Sequence, residues 1–430
     1  MMTPPREPIA VIGTGYVGLV TAAGFGELGN EVWCVDIDAE KIARLKRGEV
    51  PIYEPGLAES IAASRERLHF STELAPALEH ARLLFVAVGT PPTYSGDADL
   101  SAVHAVVDAM PPSDRHALVM KSTVPVGTGA AIKRTFAERG KDGFRYVSCP
   151  EFLKEGTALA DFRQPDRVVV GDGGDWAGDA VVDLYAPLGA PLVRTDVASA
   201  EMVKLASNAF LATKISFINE IANVCEETGA DVLEVAKGMG LDERIGRHFL
   251  RPGIGFGGSC FPKDVSALKQ LAGNSGYHFQ LLTAVIEVNE LQKRRVISKL
   301  QKHLGSLVGR TVALLGLAFK PDTDDMREAS SLVLAARLQA DGATVRAYDP
   351  VAEQEARRLM PGVDFASDAL DALEGADAVV LVTEWPEFKQ LDWAAAAQRM
   401  PGRLVIDGRN VLDPQAVRAA GFTFEGVGRG

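Results

Sequence analysis

Cysteine is scarce in this sequence, and positive charge is not in surplus. The four cysteines are far apart and form no C-x-x-C pair, so the sequence predicts neither a disulfide framework nor a metal site. Forty-five basic side chains stand against fifty-seven acidic ones, a net charge of −12. This balance argues against a surface for nucleic acid or for an anionic membrane, so an anionic ligand must be bound by a local site.

Long apolar runs are also missing. No run approaches the roughly 20 residues that span a bilayer, and too few residues precede the first apolar run, IAVIG, for a signal peptide. We therefore expect a cytosolic protein without a membrane segment. Its 430 residues exceed the usual size of one hydrophobic core, which predicts two or three domains.

The opening stretch, PIAVIGTGYVGLVTAAGFGELGNEVWCVDID, has the pattern of a strand, a glycine turn, a helix and a second strand that ends at Asp36. Gly13, Gly15 and Gly18 fill the G-x-G-x-x-G pattern of dinucleotide-binding proteins in its required context. Gly13 permits the tight turn, Gly15 lets a pyrophosphate approach the backbone, and Gly18 lets the helix pack on the strand. Asp36 would accept from the ribose hydroxyls and repel a 2′-phosphate, which predicts NAD as the cofactor.

Three further apolar stretches, ARLLFVAVGTPP, HALVMKSTVPVG and FRYVSCPEFL, end in small or polar clusters. Ligands of doubly wound sheets lie beyond the carboxyl ends of the strands. We therefore expect Thr90, Thr123 and Glu155 to face the cofactor. The alternative is that they are ordinary turn and cap residues, as threonines beside Gly or Pro often are.

Residues 199–228 contain neither Gly nor Pro and carry apolar residues at helical spacing, which predicts one long helix. It is far longer than an average soluble helix, so we expect it to link two domains and to contact a partner subunit. A second helical stretch, LLTAVIEVNELQKRRVISKLQKHL, ends near Gly305.

The opening pattern returns near the end of the chain, in RTVALLGLAF, SSLVLAARLQADG, TVRAYDP and GADAVVLVTEW. The loop FKPDTDDMREAS lengthens this copy and lacks the second and third glycines, so a second dinucleotide site is not expected. Lys320 and Arg327 indicate a different phosphate-bearing ligand. The chain is thus predicted to be an α/β protein with two Rossmann-like doubly wound parallel-sheet domains joined by a long central helix, divided at 1–198, 199–305 and 306–430.

The stretch GFGGSCFPKD places Cys260 among glycines, with Lys263 and Asp264 directly after it. A thiolate can add to an aldehyde and later leave from a thioester, which suits oxidation of an alcohol to an acid. We expect the glycines to keep this backbone unshielded and mobile, the Lys263 ammonium to favour the thiolate, and Asp264 to act as a base or to hold a water.

A cysteine is more often a small buried hydrophobe. That is the expectation for Cys34 and Cys225, which lie in apolar strand and helix contexts, while Cys149 fits either description. The polar, glycine-rich setting favours a catalytic Cys260.

Lys204 and Asn208 are one helical turn apart and leave the same face of the long helix. A fixed positive charge beside an amide donor is suited to stabilising an alkoxide or a tetrahedral oxygen. The alternative is a solvated helix face, although the neighbouring residues are apolar.

The motifs GTGYVGLV, VGTPP, KSTVPVG, PEFLKEGTALADF, DRVVVG, KLASNAFLATKISFINE, RIGRHFL, GFGGSCFPKD, LGLAFKPDTDDMRE and IDGRN occur in this order along nearly the whole chain. They resemble the UDP-glucose 6-dehydrogenases of the UDP-glucose/GDP-mannose dehydrogenase family. The resemblance implies oxidation of the C6 alcohol of UDP-glucose to the carboxylate with two NAD per turnover, by a homodimer or higher homo-oligomer built around the long helix.

The resemblance also implies roles for individual residues. Cys260 would form a thiohemiacetal and then a thioester, and Glu155 would assist hydrolysis of the thioester. The implied catalytic residues are Cys260, Lys204, Asn208, Asp264, Thr123 and Glu155. The implied cofactor contacts are Gly13, Gly15, Tyr16, Val17, Gly18, Asp36, Lys41, Thr90, Thr123, Glu155, Lys263 and Arg327. The implied substrate contacts are Glu151, Phe152, Leu153, Lys154, Glu155, Lys204, Asn208, Phe249, Leu250, Arg251, Pro252, Gly253, Gly257, Lys320 and Arg409, with Arg244 reaching in from a neighbouring subunit.

Other readings of the sequence stay open at this point. GDP-mannose and UDP-N-acetylmannosamine dehydrogenases share the same plan, although FLKEG and SCFPKD are more similar to the UDP-glucose pattern. A two-electron dehydrogenase would use Lys204 and Asn208 and leave Cys260 as a bystander. A non-catalytic nucleotide-sugar sensor would keep both binding domains without turnover.

Overall fold

A computed structural model of the chain describes residues 6–429. Contacts divide the chain into two compact units. The first unit runs to Ser207 and includes Ser266–Gly276, and the second consists of Asn208–Val265 and Tyr277–Gly430. Each unit is built on its own β-sheet.

The first unit contains an eight-stranded sheet with the order β3-β2-β1-β4-β5-β6-β7-β8. Neighbouring strands are parallel except β6 and β7, which pair antiparallel where Ser148 lies opposite Gly171. Apart from this pair, the predicted parallel sheet is confirmed. The strands are β1 Ile9–Ile12, β2 Val32–Val35, β3 Leu68–Ser71, β4 Leu83–Val86, β5 Ala117–Met120, β6 Arg145–Ser148, β7 Val168–Gly171 and β8 Leu192–Thr195.

Helices cover both faces of this sheet. Ile9 and Val11 of β1 belong to one buried cluster, whereas Ala10 and Ile12 belong to another. Alternate residues of one strand thus enter two cores, as a doubly wound sheet requires. The helices are α1 Tyr16–Glu27, α2 Ala39–Lys46, α3 Leu57–Ala63, α4 Ala75–His80, α5 Ser101–Ala109, α6 Thr128–Glu138, α7 Ala158–Arg163 and α8 Trp176–Tyr185, with 3-10 turns at Arg65–Arg67 and Ala186–Leu188.

Two helices belong partly to each unit. They are α9, Val197–Thr228, and α11, Phe261–Asn274. The long helix begins two residues before the predicted start and ends where the sequence pattern ends. No helix within residues 6–429 combines the length and the apolar character that crossing a membrane requires.

The second unit contains a six-stranded sheet with the order β11-β10-β9-β12-β13-β14, and every pair is parallel. The second Rossmann-like domain is therefore confirmed. Its strands are β9 Thr311–Leu315, β10 Thr344–Tyr348, β11 Asp364–Phe365, β12 Ala378–Leu381, β13 Leu404–Asp407 and β14 Thr423–Gly426. Its other helices are α10 Val232–Gly240, α12 Gln280–Leu304, α13 Ser330–Ala340, α14 Glu353–Leu359, α15 Ala369–Ala372, α16 Pro386–Lys389, α17 Trp393–Arg399 and α18 Pro414–Ala419.

Candidate active site

The turn between β1 and α1 fits a dinucleotide. Gly13 has φ +97°, and a Cβ there would lie 2.6 Å from the Ala87 carbonyl oxygen. A Cβ on Gly18 would lie 1.8 Å from the Gly13 carbonyl oxygen. A Cβ on Gly15, in contrast, would have no atom within 4 Å, so the backbone there is open to a ligand. Since no side chain caps the start of α1, its first backbone N–H groups can bind a pyrophosphate.

Asp36 lies just beyond the end of β2. Its Oδ2 accepts from the Thr14 backbone N–H (2.7 Å), the Thr14 hydroxyl (2.8 Å) and Lys41 Nζ (3.1 Å). Burial alone would raise the pKa of Asp36, but hydrogen bonds from Asp38, Thr14 and Lys41 outweigh burial and lower it. The carboxylate is therefore ionised at neutral pH and suited to accept from ribose hydroxyls. Lys41, a predicted cofactor contact, forms an ion pair with Asp36.

Hydrogen bonds join the segments that follow β4 and β5. Thr90 Oγ1 donates to the Thr123 carbonyl oxygen at 2.9 Å, and Ser122 Oγ donates to the Val88 carbonyl at 2.7 Å. These bonds bring together two of the predicted site threonines across the sheet.

The segment that follows β6 carries Glu155 and is held by a buried carboxylate, Glu54, that no sequence motif indicated. Glu54 accepts from the backbone N–H groups of Gly156 (2.6 Å) and Ala158 (2.7 Å) and from the Tyr16 hydroxyl. Burial, followed by the hydrogen bond to Glu54, raises the pKa of Tyr16. The only signal in the sequence was an acid in the otherwise apolar stretch IYEPGL, which did not indicate these partners.

Lys204 of α9 is buried in the first unit. Its Nζ lies 2.9 Å from Glu151 Oε1 and 5.4 Å from the centre of the Phe152 ring. The Arg167 guanidinium lies over the same ring at 3.5 Å. A buried ammonium is thus compensated by a carboxylate and an aromatic ring, which argues against a solvated helix face.

Cys260 lies in the second unit, immediately before α11. The Asp264 backbone N–H donates to the Cys260 carbonyl at 2.8 Å, and the Ser259 hydroxyl lies 3.6 Å from the sulfur. The positive end of the helix dipole favours a thiolate at this position. Cys260 is partly exposed, whereas the other three cysteines are buried.

Asp264 is the centre of a buried polar group one turn along α11. Asn208 Nδ2 donates to its Oδ2 at 2.6 Å, and Lys263 Nζ lies 2.8 Å from its Oδ1. The structure therefore joins Asn208 to Asp264 and places Lys204 beside Glu151, whereas the sequence predicted that Lys204 and Asn208 act as a pair.

The glycines before Cys260 do not leave the backbone unshielded, so that part of the expectation was wrong. Gly255 has φ +87°, and Gly258 has φ +84° with the Phe319 ring 2.7 Å from its missing Cβ. A Cβ on Gly257 would lie 2.2 Å from the Glu328 carbonyl oxygen. These glycines are required by positive φ angles and close contacts, and Gly255, Gly257 and Gly258 are all buried.

The predicted substrate residues of the second unit are in different environments. Arg409 donates to the carbonyls of Val382 (2.7 Å) and Gly255 (3.0 Å). Lys320 lies in the loop after β9, with its Nζ 5.2 Å from the Phe319 ring. Arg244 is 90% exposed and pairs with Asp242 at 2.6 Å.

Seven other predicted contacts have these surroundings. Phe249 has φ +63° and its ring packs against Phe261, Leu250 is buried, Arg251 is exposed, and Pro252 and Gly253 are buried. Arg327 pairs with Asp325, and Lys154 pairs with Asp161.

Three consecutive family models match this chain. They are the NAD binding domain (residues 7–189), the central domain (198–291) and the UDP binding domain (313–414) of one family. The chain belongs to the UDP-glucose/GDP-mannose dehydrogenase family. It is an NAD-binding nucleotide-sugar dehydrogenase, as the resemblance of its motifs predicted.

Relatives match along the whole chain. It is 46% identical to UDP-glucose 6-dehydrogenase TuaD of Bacillus subtilis, with 98% of this chain and 93% of that protein covered. It is 49% identical to UDP-glucose 6-dehydrogenase of Pseudomonas aeruginosa, with 98% and 97% covered. Among solved structures, a UDP-glucose dehydrogenase from Pyrobaculum islandicum is 39% identical, with a TM-score of 0.93 and coverage of 100% and 99%.

Proposed function

We propose that this enzyme oxidises UDP-glucose to UDP-glucuronate through a covalent intermediate on Cys260. The observation that carries the proposal is the position of Cys260 at the start of α11, one turn before a buried Asp264 that Asn208 and Lys263 hold. The names of the relatives support UDP-glucose as the substrate. The reaction converts UDP-glucose, two NAD⁺ and water into UDP-glucuronate, two NADH and three protons.

The first oxidation converts the C6 alcohol to an aldehyde. When bound, NAD would supply the hydride acceptor for both oxidations. Lys204, whose charge Glu151 compensates at 2.9 Å, is suited to stabilise the oxygen as the hydroxyl releases its proton to solvent. The Gly13–Gly18 turn and Asp36 are the groups that would hold the cofactor.

The second oxidation and the hydrolysis use the thiolate of Cys260. Sulfur forms a bond to the aldehyde carbon, and the oxygen takes a proton, which gives a thiohemiacetal. Loss of the second hydride and of that proton leaves a thioester. Water then adds to the thioester carbon, the carbon–sulfur bond breaks and the thiolate returns.

The water for hydrolysis needs a base and an orienting group. Asp264, fixed by Asn208 at 2.6 Å, is suited to hold it, and we assign Thr123 the same task. Glu155, on the segment that Glu54 holds, is proposed to assist. We also propose the remaining contacts of the nucleotide sugar and of the cofactor that the family resemblance implies.

We propose that the enzyme is a homodimer, or a higher homo-oligomer, that pairs through α9. Phe210, Phe217 and Val224 lie seven residues apart, on one face of the helix, and are 66%, 48% and 57% exposed. A second copy of the same helix would cover this apolar stripe. Arg244, which is exposed, is proposed to reach the substrate of the neighbouring subunit.

We also propose a cytosolic location and a division of functions along the chain. Residues 1–198 would bind NAD, 199–305 would carry the dimer helix and the Cys260 loop, and 306–430 would bind the UDP-sugar.

The test of the proposed function is an NADH-release assay with UDP-glucose, GDP-mannose and UDP-N-acetylmannosamine. Two NADH per UDP-glucose consumed are expected. One NADH with release of an aldehyde would instead support a two-electron dehydrogenase, binding without turnover would support a sensor, and preference for another sugar would overturn the substrate.

The role of the thiol has its own test. Cys260→Ala should abolish acid formation while NAD still binds, whereas the matched control Cys225→Ala, at a buried cysteine of α9, should keep both. Mass spectrometry of rapidly quenched Asp264→Asn enzyme should find a UDP-glucuronyl adduct on Cys260. An active Cys260→Ala enzyme would refute the covalent route.

A further inference from the structure

The segment Pro252–Gly258, directly before Ser259 and Cys260, is irregular and entirely buried. Loops normally lie at the surface, because their backbone N–H and C=O groups need water when no helix or strand pairs them. A buried loop must obtain these hydrogen bonds from neighbouring side chains and backbone. The partners of this segment therefore show what holds it in place.

Three buried amide side chains supply four of these bonds. Asn219 Oδ1 accepts from the Gly253 N–H at 2.8 Å, and Gln292 Nε2 donates to the Gly253 carbonyl at 2.9 Å. Asn289 pairs with both groups of Phe256, accepting from its N–H at 2.8 Å and donating to its carbonyl at 3.1 Å. We call Asn219, Asn289 and Gln292 the amide cradle.

The choice of amides has a physical reason. An amide presents an acceptor oxygen and a donor NH2 group side by side, as a neighbouring strand presents C=O and N–H, without adding charge to a buried site. Asn289 is the clearest case, since its two ends meet the N–H and the C=O of one residue. A Cβ on Gly255 would lie 2.8 Å from Asn289 Oδ1, so Asn289 also explains why Gly255 has no side chain.

Other groups complete the pairing of the loop. The Ile254 N–H donates to the Gly408 carbonyl at 3.1 Å, and the Ile254 carbonyl accepts from the Ser330 hydroxyl at 3.1 Å. Arg409 Nη1 donates to the Gly255 carbonyl at 3.0 Å, and the Gly258 N–H donates to the Arg327 carbonyl at 2.8 Å. The backbone path into Cys260 is thus set from outside the loop.

We propose that the amide cradle consists of positioning residues that fix the loop before Cys260 in the shape that binds the nucleotide sugar. Asn289 and Gln292 of α12, with Asn219 of α9, act through the loop backbone. This inference rests on the proposed function, because the loop is assigned to substrate contact there. It adds three residues that act on substrate binding through the loop.

The test replaces the amide side chain by a carboxylate of the same shape, so that the donor NH2 group becomes an acceptor oxygen. In Asn289→Asp an ionised carboxylate keeps the bond from the Phe256 N–H but repels the Phe256 carbonyl. We expect KM for UDP-glucose to rise about tenfold at about pH 8.5, with KM for NAD within twofold. Gln292→Glu removes the donor to the Gly253 carbonyl and serves if the first variant folds poorly.

In the same variants the rise in KM for UDP-glucose should depend on pH, which a general loss of structure would not produce. Protonation turns the new carboxyl into a donor and restores the bond to Phe256, so the defect should shrink as pH falls from about 8.5 to about 6. Burial favours the protonated form. Lys293, which is buried one turn later on α12, instead favours the ionised form. Its Nζ lies 2.8 Å from Glu290 and 3.8 Å from Glu328.

Asn30→Asp is the matched control, since buried Asn30 donates to the Glu7 carbonyl at 3.0 Å in the first unit. It should leave KM for UDP-glucose unchanged at every pH. Folded Asn289→Asp and Gln292→Glu enzymes with wild-type KM and pH profile would overturn the inference. A wild-type enzyme that does not turn over UDP-glucose would instead overturn the proposed function, and the two failures are distinct.

Discussion

Removal of the Glu54 carboxylate should loosen the segment that carries Glu155. Glu54 is buried and accepts three hydrogen bonds, from the N–H groups of Gly156 and Ala158 and from the Tyr16 hydroxyl. Glu54→Ala leaves these donors without their charged acceptor. The Gly156 N–H keeps a second acceptor, the Tyr16 oxygen at 3.1 Å, so the loss is smaller than three full bonds.

The expected magnitude follows from these contacts. Hydrogen bonds to a charged group contribute roughly 1.5–3 kcal/mol each, and with the Gly156 bond discounted we expect about 3 kcal/mol of destabilisation. In a unit of about 200 residues this lowers the midpoint of thermal unfolding by about 6–12 °C. Glu54→Gln, which retains one acceptor oxygen, should lose about half as much.

Thermal unfolding of the purified variants, with hydrogen exchange of the peptide around Gly156, is the assay. Glu59→Gln, at an exposed glutamate five residues further on, is the control and should change the midpoint by less than about 2 °C. A Glu54→Ala enzyme that unfolds like the control, with unchanged exchange at Gly156, would refute the assignment of Glu54 as the residue that holds this segment.

Four further predictions concern the second unit. Lys299 bridges Glu226 (2.7 Å) and Glu425 (2.8 Å), so Lys299→Met should cost about 3–5 kcal/mol in urea unfolding; a loss below about 1 kcal/mol would contradict this. Although burial raises the pKa of both carboxyls, hydrogen bonds that include those from Lys299 lower it overall. Their stabilisation is therefore present above the ordinary value of 4.5 and lost as pH falls through the lowered pKa, which urea unfolding at stepped acidic pH would measure. Phe217→Asp should yield monomers in sedimentation, and Gly258→Ala should abolish turnover because of its φ of +84°.

Local patterns in the sequence determined much of this protein. The strand–glycine–helix order predicted both Rossmann-like folds, the run without Gly or Pro predicted α9, and spacing placed Asp36 after β2. These features depend on neighbours within about one helix or strand, so a periodicity or a motif is sufficient to indicate them.

Partnerships between distant residues were decided only by the tertiary structure. Glu54 bonds to backbone groups 102 and 104 positions away, Asn208 bonds to Asp264 across 56 positions, and Asn289 reaches Phe256 across 33. The glycines near Cys260 were expected to leave the backbone unshielded, yet they are buried against Phe319 and Glu328. Such pairings depend on which distant segments the fold brings together, and burial then favours hydrogen bonds between the polar groups that meet there.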